Sequence, residues 1–169
     1  MSKLEIVKGE NNPILRAVSK PVVKFDAGLK KFVKEMKEAM FAAKGIGIAA
    51  PQVGKNIRVF LAVFEIGKKD ERIVPMVNPE ILEFSKEMLV AEEGCLSLPG
   101  IYGKVRRAKK VKIAYQGLDG VKLLENLQGM NARVVQHELD HLNGVLFIDK
   151  LVGDEVVDEK HPVIEGESL

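Results

Sequence analysis

The chain has 169 residues, 46% apolar and 30% charged, a composition that folds as one globular domain and excludes a disordered chain. A formal net charge of +2 gives no ground for a nucleic-acid partner, and no apolar run approaches the roughly 18 residues of a membrane span. One cysteine excludes an internal disulfide and, with a start that opens on no apolar leader, leads us to expect a cytoplasmic protein.

Residues 1–25 contain Asn12-Pro13 and Lys20-Pro21, which interrupt a regular helix and predict an extended arm with short turns. Asp26 is placed to cap a helix. Its apolar stripe, Leu29, Phe32, Val33, Met36, Met40 and Ala43, ends at Gly45. Residues 45–54 follow that helix. A dinucleotide loop would precede one and would need a third glycine, so nucleotide binding is not expected. Alone, this stretch reads as a helix cap and tight turn with Gln52 in solvent, although its glycines would let another backbone approach closely.

Residues 57–64 form a nearly continuous apolar run, expected of a strand buried on both faces. After a polar turn at 67–70, residues 73–77 should return antiparallel, limited by Pro75 and Pro79, and residues 81–91 should form another strand. Glu92-Glu93 ends it. Cys95 follows between Gly94 and Pro99-Gly100, which places it on an irregular segment where a functional thiolate and an inert thiol are equally supported. Residues 105–115 read as a half-buried strand, turned back through Asp119-Gly120 into residues 121–124. The basic cluster Lys104, Arg106, Arg107, Lys109, Lys110 and Lys112 reads as a solvated strand edge that discourages aggregation. A helix is expected from about Asn126 to Asn143, stopped by Gly144. Residues 145–152 are a last apolar segment, and the acidic tail 153–169 should be loosely attached.

The chemistry concentrates in Gln136-His137-Glu138-Leu139-Asp140-His141. Two of the chain's three histidines lie here, four residues apart. On a helix that spacing separates them by about 40°, so both imidazoles can grip one ion. Glu138 stands roughly 100° from His137, able to reach a water on the ion without binding it. A hydrolytic site of this type needs a third protein ligand. The metzincin continuation would put a histidine where Phe147 stands, which nearly excludes that class. Glu155, Glu159, Glu165, His161 and Cys95 remain as candidates.

Three stretches, Gly45-Ile46-Gly47-Ile48-Ala49-Ala50-Pro51-Gln52, Glu93-Gly94-Cys95-Leu96-Ser97 and the helix motif above, resemble the three ordered motifs of peptide deformylases. Pro13-Ile14-Leu15-Arg16, Lys20-Pro21-Val22 and the segment 142–149 look similar too, so the resemblance spans about residues 4–151. Ile48 stands where leucine is usual, and Tyr102 where many relatives have an arginine near the substrate channel.

The resemblance implies that Cys95, His137 and His141 bind one divalent metal, Fe2+ in the cell, with Zn2+, Ni2+ or Co2+ suited to the same donors. It implies that Glu138 moves the proton of the attacking water while the Gln52 amide and the Leu96 N–H hold the developing oxyanion. The substrates would be N-formyl-methionyl peptides emerging from the ribosome, cut to formate and a free N-terminus. Gly45, Ile46 and Gly47 would receive the peptide backbone, and Gly94 would belong to the same substrate site. Ile46, Met130, Val134 and the stem of Glu93 would enclose the methionine side chain. A separate expectation pairs Asp140 with Arg107, because a charge on a site helix needs a partner. The expected fold is α+β: one catalytic domain, residues 1–169, with antiparallel β-sheets surrounding a central metal-binding helix.

Overall fold

The computed structural model describes residues 3–153 and the backbone of Val156–Val157. Two antiparallel sheets meet over a central helix, as expected. The larger has strand order β1-β2-β3-β6-β7, formed by Gly47–Ala49, Val59–Phe64, Arg72–Phe84, Lys110–Gln116 and Lys122–Gln128. The smaller has order β4-β5-β8, formed by Met88–Cys95, Leu98–Ala108 and Val156–Val157. The helices are α1 (Pro13–Arg16), α2 (Ala27–Ala42) and α3 (Gly129–Leu142). No helix among the described residues is long and apolar enough to cross a membrane.

Local chemistry accounts for most of these elements. Asp26 caps α2 by accepting the Leu29 N–H at 3.0 Å, and Leu29, Phe32, Val33, Met36 and Met40 turn inward. All six residues of β2 are buried, which is what a continuous apolar run requires of a strand covered on both faces. Almost the whole circumference of α3 is buried, since β1, β2, β5 and β7 all pack against it. Helix α3 is therefore a core helix that carries polar groups, and each of those groups needs a partner.

Several boundaries differ from the expected ones. Asn12-Pro13 starts a helix instead of breaking one: Asn12 Oδ1 accepts the Ile14 N–H at 2.9 Å and proline occupies the first turn, where its missing N–H costs nothing. Neither Pro75 nor Pro79 ends β3. Pro75 lies where β3 is paired only to β2, and Pro79 falls in a register shift between Val77 and Glu80, so no ladder bond is lost. The strand expected over 81–91 is split at Ser85–Glu87 between β3 and β4. Lys109 likewise divides the strand expected over 105–115 into β5 and β6. The site helix begins at Gly129 and not near Asn126, because residues 126–128 complete the β7 ladder with β6. Of the tail, Val156–Val157 pairs with Ile101 and Tyr102 of β5; its other residues after Gly153 lie outside the described ones.

Candidate metal centre and active site

Three elements bring the motifs together. Strand β4 ends at Cys95, and Leu96-Ser97 form the two-residue turn into β5, because Cys95 pairs directly with Leu98. Cys95 is therefore at the end of a strand and fully buried, not on an open irregular segment. Helix α3 presents His137 and His141 with ring centroids 5.0 Å apart. Gln52 sits in a 3₁₀ turn, Ala50–Val53, that follows β1. Its side chain is fully buried, which overturns the expectation of a solvated amide. Gln52 Oε1 accepts the Ala49 N–H at 2.9 Å, so its Nε2 is turned toward Ser97 Oγ at 3.3 Å and Cys95 Sγ at 3.6 Å.

The ligand atoms of Cys95, His137 and His141 all lie within 4.8 Å of one another, and Cys95 Sγ is 3.5 Å from His141 Nε2. One thiolate and two imidazoles are a donor set that fits a divalent transition metal. Glu155, Glu159, Glu165 and His161, the other candidates for third ligand, lie outside the described residues. Phe147, standing where a metzincin would have its third histidine, packs its ring on His137 at 6.3 Å between centroids.

Behind the ligands is a buried charge cluster. Glu93 Oε1 is 2.8 Å from His137 Nδ1, and the carboxylate also receives both Arg107 Nε and Nη2 at 2.9 Å and Arg133 Nη1 at 2.6 Å. A carboxylate facing Nδ1 fixes the proton there and leaves Nε2 as the ligand atom. Burial alone would raise the Glu93 carboxyl, but the hydrogen bonds from Arg107 and His137 outweigh it and hold it far below the usual carboxylate range. Burial would likewise lower Arg107, yet Glu93 and Asp140 hold its guanidinium above its ordinary value.

Arg107 Nη1 meets Asp140 Oδ2 at 2.5 Å, so the expected pair forms. Arg107 is consequently only 3% exposed and leaves the solvated basic edge assigned to it from sequence. Glu93 is fully buried, and its carboxylate clamps His137 between the two guanidinium groups. Arg133 was not singled out from sequence. It also donates to Val105 O and Leu89 O, tying the strands that carry Cys95 to the helix that carries the histidines. Its position one turn before His137 was the available signal. Gln136 performs a similar task, donating to Ala108 O at 2.9 Å and accepting the Ala108 N–H at 3.0 Å.

Glu138 is fully buried between α3 and β1. A Cβ on Gly47 would fall 2.3 Å from Glu138 Oε1, so only glycine lets the β1 backbone lie so close to that carboxylate. Strand β1 is the outer strand of its sheet. Ile46 and Val134 belong to one apolar cluster, against which Met130 packs. Gly94 pairs with Tyr102, and a Cβ at 94 would lie 2.8 Å from the Tyr102 ring. That ring, in place of a charged side chain, is what this chain has at position 102.

Comparison with known proteins agrees with this geometry. The sequence profile of one family, described as polypeptide deformylase, matches residues 3–156. The peptide deformylase of Thermotoga maritima is 49% identical over 140 residues, 83% of this chain and 82% of that protein. The peptide deformylase of Mesorhizobium japonicum is 46% identical over 151 residues, 86% of this chain and 85% of the other. A crystal structure of the Thermotoga maritima enzyme superposes with a TM-score of 0.84 at 45% identity, covering 90% of this chain and 100% of that one. A class I type b peptide deformylase from Acinetobacter baumannii, solved bound to Met-Ala-Ser, gives 0.81 at 40% identity, covering 89% and 99%. The chain belongs to the polypeptide deformylase family, metal-dependent hydrolases that remove the N-formyl group from nascent peptides.

Proposed function

We propose that deformylation takes place at Cys95, His137 and His141, with Glu138 as the group that carries the proton. The observation behind this reading is the meeting of one thiol and two imidazole donors within 4.8 Å on a helix whose next residue is a fully buried carboxylate. Cys95, His137 and His141 would hold a divalent ion that would supply Lewis acidity and make a nearby water easier to deprotonate. Glu138 takes the proton of the attacking water at its carboxylate and returns it to the amine nitrogen of methionine as formate leaves. Gln52 Nε2, aimed toward Cys95 and Ser97 by the Ala49 bond, and the Leu96 N–H donate to the oxyanion that develops on the formyl group.

The peptide backbone adds a strand along Gly45, Ile46 and Gly47, with Gly94 on the opposite side, and its methionine side chain enters between Ile46, Met130, Val134 and the stem of Glu93. Fe2+ is the resident ion, the choice favoured by the family resemblance among the metals these donors accept. The substrates are formylated chains emerging from the ribosome, and the enzyme works in the cytoplasm, in keeping with a lone buried thiol that needs a reducing compartment.

Formate release from formyl-Met-Ala-Ser by protein purified anaerobically, with its metal assayed in the same sample, tests the reading. Turnover at one iron per chain is expected; a fully metallated protein that releases none would refute it. Gln52→Leu should lower kcat by about 100- to 1,000-fold with KM little changed, because the donor is used chiefly in the transition state. A loss confined to KM would remove Gln52 from that role.

A further inference from the structure

Gly47 and Gly45 set the direction in which a bound peptide must leave the site. Glu138 lies against Gly47, so the reacting end of a substrate belongs there and the remainder of its chain passes Gly45 toward Lys44. Gly45 packs against the Leu96 side chain: a Cβ on it would meet Leu96 Cδ1 at 3.0 Å. Leu96 also lines a cavity of about 510 Å³, together with Pro99, Ala43, Ile6, Glu5 and Lys8. A second cavity of about 780 Å³ adjoins it, with Ile6 and Ala43 in the walls of both.

The larger cavity lies between the N-terminal arm and the last turns of α2, and its lining is chiefly apolar, from Leu4, Ala39, Phe41 and Ala42. Phe41 is 53% exposed although its neighbour Met40 is fully buried. Such an aromatic surface in a concave wall is suited to covering an apolar group. The rim carries both signs, Lys3, Lys31 and Lys34 against Glu35 and Glu38, and so has no single-sign character. A strand paired along Gly47, Ile46 and Gly45 uses about three residues at the usual rise, which puts the fourth and later ones past Lys44.

We propose that these two cavities form one channel that receives the substrate chain beyond its third residue and favours apolar side chains there. The channel meets the peptide site at Leu96 and rests on that site assignment. It makes the enzyme a reader of more than the formyl-methionyl end. Peptides with leucine at positions four to six gain affinity, and short or polar peptides do not.

The test compares formyl-Met-Ala-Ser with the same peptide extended by three leucines or by three serines, using the metallated full chain. The leucine extension should lower KM by about threefold to tenfold, as partial burial of one or two such side chains allows, and the serine extension should not. Phe41→Ser should abolish the gain and leave tripeptide turnover unchanged. Equal KM values for all three peptides, or a gain that survives Phe41→Ser, would overturn the channel. Calorimetric binding of the unformylated peptides separates the two assignments. A protein that releases no formate yet binds the leucine peptide more tightly, by an amount Phe41→Ser removes, keeps the channel and loses the site assignment. Self-association of the chain that Phe41→Ser removes, without any dependence on peptide length, would give the cavity to a second copy and overturn the proposal.

Discussion

Replacing Glu138 by glutamine is expected to lower kcat/KM for a formyl-Met peptide by about 100- to 10,000-fold while metal content stays at one per chain. The amide has the shape of the carboxylate, which matters in a space where the β1 backbone at Gly47 touches the side chain. What it lacks is the ability to take a proton. Glu138 does not belong to the group of ligand atoms formed by Cys95, His137 and His141, so the ion should remain. Metal analysis beside the kinetics decides the matter. Normal turnover in Glu138→Gln would remove the residue from proton transfer, and a metal-free variant would make it a ligand.

Glu93→Gln should damage both the fold and the metal centre. In the native protein one buried carboxylate answers two buried guanidinium groups and the Nδ1–H of His137. Glutamine keeps one acceptor oxygen but no charge, so Arg107 is left with Asp140 as its only carboxylate partner and Arg133 with none. Breaking a buried ion pair from one side costs roughly 3–5 kcal/mol, on the order of 10 °C in Tm for a domain of this size. The loss of the partner that orients a ligating histidine should also weaken metal affinity by about 10- to 100-fold. Thermal denaturation and competition with a chelator measure the two effects separately. An unchanged Tm together with unchanged chelator competition would show that the cluster is a bystander.

The clamp explains how a site split across the chain is held in register. Cys95 and His141 are 46 residues apart in sequence and come from different surroundings, a hairpin of the small sheet and the central helix. Loop closure of that length has to be completed before the ligands can meet. Arg133 and Gln136, both on α3, bond to β4 and β5 directly and hold the hairpin at a fixed height along the helix. The metal site is thus positioned by polar contacts made one turn or less from the ligands themselves.

Local chemistry is legible in the residues themselves. The spacing of His137 and His141 determined that both imidazoles share a helix face, Asp26 determined where α2 starts, and an unbroken apolar run determined that β2 is covered on both sides. These depend on neighbours a few positions apart, and periodicity reports them. Where an element ends depends on what it pairs with. Pro75 and Pro79 were free to sit inside β3 because its ladder switches partners there, and residues 126–128 became strand because β6 was available to pair with them.

The burial of Gln52, the pairing of Arg107 with Glu93, and the place of Arg133 were decided only by the tertiary structure. A basic residue looks the same in a sequence whether water or a buried carboxylate balances it. Only the fold brings Glu93 to the point where two guanidinium groups and one imidazole converge, and burial then turns an ordinary charge into a structural necessity.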